Sequence, residues 1–177
     1  MGCKLLPLAT LVAPVMLLGT YAAAESFSAK LVGFEEVPAI FSTGKGTLDL
    51  DLNKQARTIN FKLTFSGLSA PVTQSHIHFG KRHVAGGITV FFCSNLSNGP
   101  AGTQLCPAGG GTVSGMITGG NVLAIAAQGM PASDFDALVD LLVSNTAYAN
   151  VHTTNFPAGE IRGQIRKPDK DDEHRGR

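Results

Sequence analysis

Residues 148–165, YANVHTTNFPAGEIRGQI, decide the fold that we predict for this chain. The stretch opens as a strand, because Ala149 and Val151 fall on one face of an extended backbone and polar or aromatic residues fall on the other. Pro and Gly then mark a turn at residues 155–159. A second strand is predicted over residues 159–166, so the stretch is typical of a hairpin in an all-β protein.

One face of this predicted hairpin is polar, which is unusual in so apolar a chain. Asn150 and His152 lie on it in the first strand, and Glu160 and Arg162 lie on it in the second. A carboxylate beside an arginine stays ionised and is poorly placed as a general acid. We therefore interpret Glu160, Arg162 and Asn150 as a polar bracket, in preference to a catalytic group, that holds the last strand against the loop at residues 35–38.

Alternating apolar and polar residues predict further strands along the chain. The clearest pair covers residues 47–52 and 58–65, joined by a turn at residues 53–56, and predicts an antiparallel hairpin with one wet face. One helix is predicted after Ser133, its expected N-cap, with Asn145 in the left-handed conformation that ends it. The sequence predicts an antiparallel β-sandwich or flattened Greek-key barrel of about eight strands with one short inserted helix.

Three segments differ in composition and define the predicted organisation. Residues 1–24 combine Lys4, a long uncharged apolar run and a final Ala-Ala-Ala, which is typical of a cleaved signal peptide; a membrane anchor is the alternative. Residues 25–166 form the predicted single domain, without a membrane span. Residues 167–177, KPDKDDEHRGR, contain nothing apolar to bury and are predicted to be a disordered tail.

Charge and cysteine usage limit the compartment and the partners. The chain has 14 Lys and Arg against 13 Asp and Glu, and removal of Lys4 with the signal leaves the charges balanced. Such a chain has no basic patch for phosphates, which argues against nucleic acid as a partner. Cys93 and Cys106 are the two cysteines outside the signal and predict a disulfide in an exported protein, periplasmic or extracellular.

The histidines form the pattern in the sequence that most strongly suggests a metal site. His76 and His78 are two apart on a predicted strand, so both rings lie on one face, and His152 on another polar face can join them. Three imidazoles suit copper or zinc, with His83 or Glu160 as a possible fourth ligand. The alternative is a purely structural polar network on the sheet face.

Enzyme signatures are otherwise missing from the sequence. There is no G-x-S-x-G nucleophile motif, no P-loop and no dinucleotide-binding fingerprint, and the thiols are better used as a disulfide. We therefore assign no catalytic residues and favour a binding protein over an enzyme.

Four motifs resemble the CHRD domain, a module named after the animal protein chordin and found also in microbial exported proteins. They are LVGFEEVP at residues 31–38, SHIHFG at 75–80, YANVHT at 148–153 and PAGEIRGQI at 157–165. In family order they cover about residues 26–166. The chain departs from the family at Ala39, where a second Pro is usual, and before Tyr148, where Gly is usual. In chordin these modules belong to a secreted antagonist of growth factors, so the resemblance implies a binding module.

A looser resemblance is to copper-zinc superoxide dismutase, a β-sandwich with an H-x-H strand and a late G-x-x-R turn. It implies that His76, His78 and His152 are copper ligands and that Arg162 steers an anion. The long zinc loop of the dismutase has only His83 to match it here, so the resemblance allows a mononuclear copper site at most.

Three functions follow as hypotheses from these residues. The favoured one is an exported binding module without turnover, whose polar face holds a metal, a protein or a glycan. A mononuclear copper redox protein is the second, and a structural component of the envelope or matrix is the third.

Overall fold

The structure is a computed structural model that describes residues 25–168. The predicted signal peptide, 1–24, and residues 169–177 of the predicted tail lie outside this range. The described chain forms eight strands and one α-helix, α1 (Phe135–Val143). The strands are β1 (Glu25–Val32), β2 (Lys45–Asn53), β3 (Thr58–Ser66), β4 (Val72–Phe79), β5 (Gly87–Ser94), β6 (Gly111–Ile117), β7 (Ala147–Thr153) and β8 (Ile161–Gln164).

All eight strands belong to one antiparallel sheet in the order β5-β4-β7-β8-β1-β2-β3-β6. The sheet curls until its two end strands, β5 and β6, approach each other. Beside them, the ring of Phe92 in β5 packs on that of Phe61 in β3, with centroids 4.8 Å apart. The result is a nearly closed barrel whose interior is the hydrophobic core. The predicted all-β architecture with one short helix is confirmed.

The hairpin of β2 and β3 follows its sequence pattern closely. Asn53 pairs with Thr58 across the turn, and Leu50 pairs with Phe61 in mid-strand. Leu50 is fully buried and Phe61 nearly so, while the residues between the apolar positions point outward. Because the side-chain period of a strand is two, this register places every apolar residue of the two strands in the core.

The N-cap of helix α1 lies one residue later than the sequence predicts. The N-cap is Asp134, whose side chain accepts a hydrogen bond from the amide of Ala137, while Ser133 has a φ of 59° and precedes the helix. Asp is as good a cap as Ser, so local sequence could not separate the two. Asn145 has a φ of 56° just beyond the helix, which confirms its predicted left-handed conformation.

Strand β8 is shorter than the sequence predicts. Regular pairing begins at Ile161 and ends at Gln164, after which a single bridge joins Arg166 to Ser28 of β1. Glu160 therefore precedes the strand, and the alternation that predicted one common face for Glu160 and Arg162 does not apply to it.

The predicted disulfide between Cys93 and Cys106 is confirmed, and both cysteines are buried. The loop that it closes lies between the two end strands of the sheet. The amide of Ser94 in β5 donates to the carbonyl of Gln104, and Gln104 Nε2 donates to the carbonyl of Ser114 in β6. The loop thus fills the gap through which the barrel would otherwise open.

Strands β4, β7 and β8 lie side by side and position the polar site. Ile77, Ala149 and Val151 point from these strands into the core. The alternate side chains project from the opposite, outer face, which the loop at residues 80–86 covers through contacts described below. A polar surface of the barrel is therefore buried without belonging to the hydrophobic core.

Candidate metal centre

Three histidines converge on this covered outer face. His76 and His78 project from β4, and His152 projects from β7, the strand paired with it. Each offers a ring nitrogen, and the three nitrogens lie within 4.8 Å of one another. Their exposed fractions are 0%, 7% and 6%, so the group is closed off from solvent. The convergence follows from strand alternation and the pairing of β4 with β7.

Backbone carbonyls determine which nitrogen of two rings carries the proton. His78 Nδ1 lies 2.9 Å from the carbonyl oxygen of Gly86, and His152 Nδ1 lies 2.9 Å from that of Pro157. A carbonyl oxygen only accepts hydrogen bonds, so each Nδ1 must donate, and each neutral ring then presents an Nε2 lone pair. Histidines that bind metals are typically oriented by such a bond from their other nitrogen.

The two Nε2 lone pairs point at another acceptor. Asn150 Oδ1 lies 3.1 Å from His78 Nε2 and 3.0 Å from His152 Nε2. His76 Nδ1 lies 3.2 Å from His152 Nε2 and can donate a hydrogen bond to that nitrogen. Even then His78 Nε2 and Asn150 Oδ1 face each other as acceptors, and His76 Nε2 has no hydrogen-bond partner among the described residues. We call His76, His78, His152 and Asn150 the histidine cluster.

Burial keeps the three rings neutral. It lowers the pKa of His76 to about 2, with the neighbouring rings of His152 and His78 adding to the effect. Burial also lowers the pKa of His78, to about 4, and that of His152. Neutral imidazole is the form that binds a metal, so the rings are ready as ligands at neutral pH without loss of a proton.

One spacing within the histidine cluster fits a small transition-metal ion. Zinc–nitrogen bonds are about 2.0–2.1 Å long, so two ligand atoms of a tetrahedral site lie roughly 3.3 Å apart. The separation of 3.2 Å between His76 Nδ1 and His152 Nε2 is close to this value. Imidazole nitrogens suit zinc and copper, and the three histidines together could hold either ion.

The two predicted alternatives for a fourth ligand lie elsewhere. Neither His83, in an exposed turn, nor Glu160 belongs to the group of converging ligand atoms. Glu160 is fully buried: Oε1 accepts from the Ser42 hydroxyl and the Ser69 amide, and Oε2 accepts from the hydroxyls of Ser69 and Thr153. We call Glu160 with these three partners the carboxylate cluster.

Hydrogen bonds set the charge of the carboxylate cluster. Burial alone would raise the pKa of Glu160, but the donors Ser42, Thr153 and Ser69 outweigh it and hold the pKa below its ordinary value. Glu160 is thus an ionised and fully hydrogen-bonded group, with no lone pair directed at the histidines.

Arg162 contacts an aromatic ring and the backbone, and Glu160 is not among its partners. Its guanidinium carbon lies 3.4 Å from the ring centroid of Tyr148, and Nη2 donates to the carbonyls of Lys81 and Val84. The Tyr148 ring also stacks on that of His78, with centroids 4.7 Å apart and planes 5° from parallel. Sequence reasoning assigned no role to Tyr148, although alternation places it on the same face as Asn150.

Glu36 is a second carboxyl near the histidine cluster that sequence reasoning did not single out. It is 7% exposed, and its Oε1 has no hydrogen-bond partner among the described residues. Burial raises the pKa of Glu36 to about 7, although the charge of Arg162 opposes the change. A Cβ at Gly159 would clash with Glu36 Oε1 and lie 3.0 Å from Asn150 Nδ2, so both groups line one small space beside this glycine.

Comparison with known proteins gives a match to one family model. No curated protein and no solved structure matches the chain. The family model of the CHRD domain matches residues 27–165. This range contains both polar clusters, the disulfide and all eight strands, apart from the first two residues of β1. The chain therefore belongs to the CHRD domain family.

Proposed function

We propose that this domain is an exported binding module that holds one transition-metal ion, zinc or copper, on His76, His78 and His152. The observation that carries the proposal is the pair of Nε2 lone pairs on His78 and His152. Backbone carbonyls orient both, and they converge beside His76 where no described side chain donates to both of them. A cation is the partner that such a group of acceptors lacks.

Burial of the site supports binding without turnover. All three histidines are at most 7% exposed, so a substrate has little access to an ion held by them. Arg162, which would steer an anion in a dismutase-like protein, is 3% exposed and donates to backbone carbonyls. A redox enzyme needs an open coordination position and an approach for its substrate. The geometry therefore favours a module that retains its ion.

A purely structural role for the histidines fits the contacts less well. A stable buried network pairs each donor with an acceptor, because every unpaired buried polar atom costs about 1–3 kcal/mol. In the histidine cluster Asn150 Oδ1 faces ring acceptors, and His76 Nε2 has no partner within the described chain. A bound ion removes the first of these costs.

The disulfide supports a site of action outside the cytoplasm. Disulfides persist in oxidising compartments, and the bond between Cys93 and Cys106 is buried in the barrel wall. Within residues 25–168, no helix is long and apolar enough to cross a membrane. With the signal predicted at residues 1–24, we propose that the protein works in the periplasm or outside the cell.

Metal content and thermal unfolding of the purified exported protein test the proposal. We expect about one zinc or copper ion per chain, and a stabilisation of about 2.7 kcal/mol when free metal is at 100 times its dissociation constant. His76→Ala/His78→Ala should lose both effects. His83→Ala is the matched control, because this exposed histidine lies outside the group, and it should bind as the unmodified protein does.

Three outcomes would overturn the proposal. An unmodified protein that takes up neither metal, beside a folded but less stable double variant, would make the histidines part of the scaffold. Equal metal uptake by the double variant would place the ion elsewhere. Superoxide dismutation by the copper-loaded protein would favour the redox alternative.

A further inference from the structure

We infer that Asn150 is the fourth ligand of this centre, binding the ion through Oδ1 and completing a closed set of three nitrogens and one oxygen. The inference rests on the proposed function, because it needs an ion at the three histidines. It names a ligand that alternation on β7 places between the histidines and that neither the H-x-H pattern nor the family match assigns.

Distances support Asn150 as a ligand. Its Oδ1 lies 3.1 Å from His78 Nε2 and 3.0 Å from His152 Nε2, and His152 Nε2 lies 3.2 Å from His76 Nδ1. For metal–ligand bonds of about 2.0–2.2 Å, tetrahedral ligand atoms are separated by roughly 3.3 Å. The oxygen is therefore spaced from the Nε2 atoms of His78 and His152 as a fourth ligand would be.

Surroundings of the amide explain why its oxygen faces the rings. On the other side, Asn150 Nδ2 and Glu36 Oε1 line the same space beside Gly159. Glu36 Oε1 is a buried acceptor without a hydrogen-bond partner in the described chain, so an amide turned the other way would place Oδ1 beside a further acceptor. This arrangement leaves Oδ1 on the side of the two Nε2 lone pairs, where a cation relieves the repulsion between acceptors.

A fourth protein ligand determines what the centre can do. Asn150 is 3% exposed, so its oxygen takes the position that a catalytic site leaves to water or substrate. Copper(I) prefers sulfur ligands, and both described cysteines are in the disulfide. A closed set of imidazoles and an amide oxygen suits a divalent ion, above all zinc, that is retained and not used to activate water.

Substitutions that keep the shape of Asn150 test its role. Zinc affinity is measured by chelator competition, and coordination is followed by the visible absorption of bound Co²⁺. Asn150→Asp keeps the oxygen and adds a charge, so we expect it to bind zinc at least about tenfold more tightly. Asn150→Leu lacks the oxygen, so we expect at least about tenfold weaker binding and a Co²⁺ spectrum that titrates with a newly bound water.

Two failures remain distinguishable in this experiment. If the unmodified protein takes up neither Zn²⁺ nor Co²⁺, the proposed function itself fails. If it loads both ions, but Asn150→Asp and Asn150→Leu match its affinity and spectrum, Asn150 is not a ligand and only the further inference fails. Should Asn150→Leu not fold, Asn150→Asp decides alone, because unchanged affinity and spectrum in that variant contradict the inference.

Discussion

The histidine cluster and the carboxylate cluster both have buried polar groups at their centre and both involve β7, yet they differ in how their donors and acceptors balance. In the carboxylate cluster, the two oxygens of Glu160 receive four hydrogen bonds from three neighbours. In the histidine cluster, Asn150 Oδ1 faces two ring nitrogens whose lone pairs point toward it.

This difference separates a scaffold from a ligand site. A buried charge whose hydrogen bonds are all formed has no free lone pair for a ligand. Its removal leaves the surrounding donors without an acceptor. A buried group with surplus acceptors is incomplete until a cation joins it. We therefore expect the first cluster to respond to mutation and the second to respond to metal and to acid.

Removal of the Glu160 carboxylate should have the largest effect on stability. Glu160→Ala leaves an empty buried space and removes the acceptor of the donors on Ser42, Ser69 and the buried Thr153, and we expect a loss of about 4 kcal/mol in the free energy of unfolding, measured in urea. Glu35→Ala is the matched control, because Glu35 forms a surface ion pair with Arg82 and should cost less than about 1 kcal/mol.

A metal titration on the same variant sharpens the comparison. Glu160→Ala should still gain stability from zinc, because Glu160 contributes no atom to the histidine cluster. Loss of the metal response in a folded variant would show that the two clusters act as one, contrary to the separation that we draw.

Loss of the disulfide should rank second and affect neither cluster specifically. Cys93→Ala/Cys106→Ala opens a loop with a sequence separation of 13, so we expect a loss of about 3 kcal/mol in the free energy of unfolding. Metal affinity and the slope of stability against pH should match those of the unmodified protein. A change in either would couple the disulfide loop to the histidine cluster.

Acid should destabilise the metal-free protein through the histidine cluster alone. The pKa values of His76 and His78 in the fold, about 2 and 4, lie below the ordinary value of 6.5, so the unfolded chain binds more protons as the pH falls. By pH 5 each ring should remove about 2 kcal/mol, and His152 acts in the same direction.

Glu36 opposes this loss and reduces the net effect of acid on stability. Its pKa in the fold, about 7, lies above the ordinary 4.5, so the folded state binds the extra proton between these values and gains about 2 kcal/mol by pH 5. We expect a net loss of at least about 2 kcal/mol from pH 7 to pH 5, measured by urea unfolding at each pH, and a steeper loss in Glu36→Gln. Equal slopes in the two proteins would contradict the assignment.

The same acid titration separates the two clusters. The pKa of Glu160 is held below 4.5, so its carboxylate stabilises the fold at all pH values above that and loses its contribution only below it. Between pH 7 and pH 5 the slope should therefore be the same in Glu160→Ala as in the unmodified protein.

Strand pairing could be predicted where the period of two is regular. The β2–β3 hairpin was evident because Leu50 and Phe61 belong to unbroken alternating runs. The approach of His152 to His76 and His78 could also be predicted, since each lies in a regular strand on a polar face. Alternation along a strand determines the face on which each side chain lies, and the pairing of β4 with β7 brings the three histidines together.

The carboxylate cluster could not be predicted for the opposite reason. Glu160 lies just before β8, where the chain is still turning, so alternation gives no information about its direction. Ser42 and Ser69 lie in loops, and their positions depend on contacts distant in sequence. Alternation places Asn150 on the polar face, but the buried Glu36 beside its amide is distant in sequence and could not be predicted.

The loop between Cys93 and Cys106 has a consequence for how this protein behaves at high concentration. Strands β5 and β6 end the sheet, and exposed end strands are templates on which other chains can add strands and aggregate. The backbone of Gln104 occupies a donor at the end of β5, and its side chain occupies an acceptor on β6. The disulfide thereby protects the protein against self-association. Reducing conditions should lower its solubility as well as its stability.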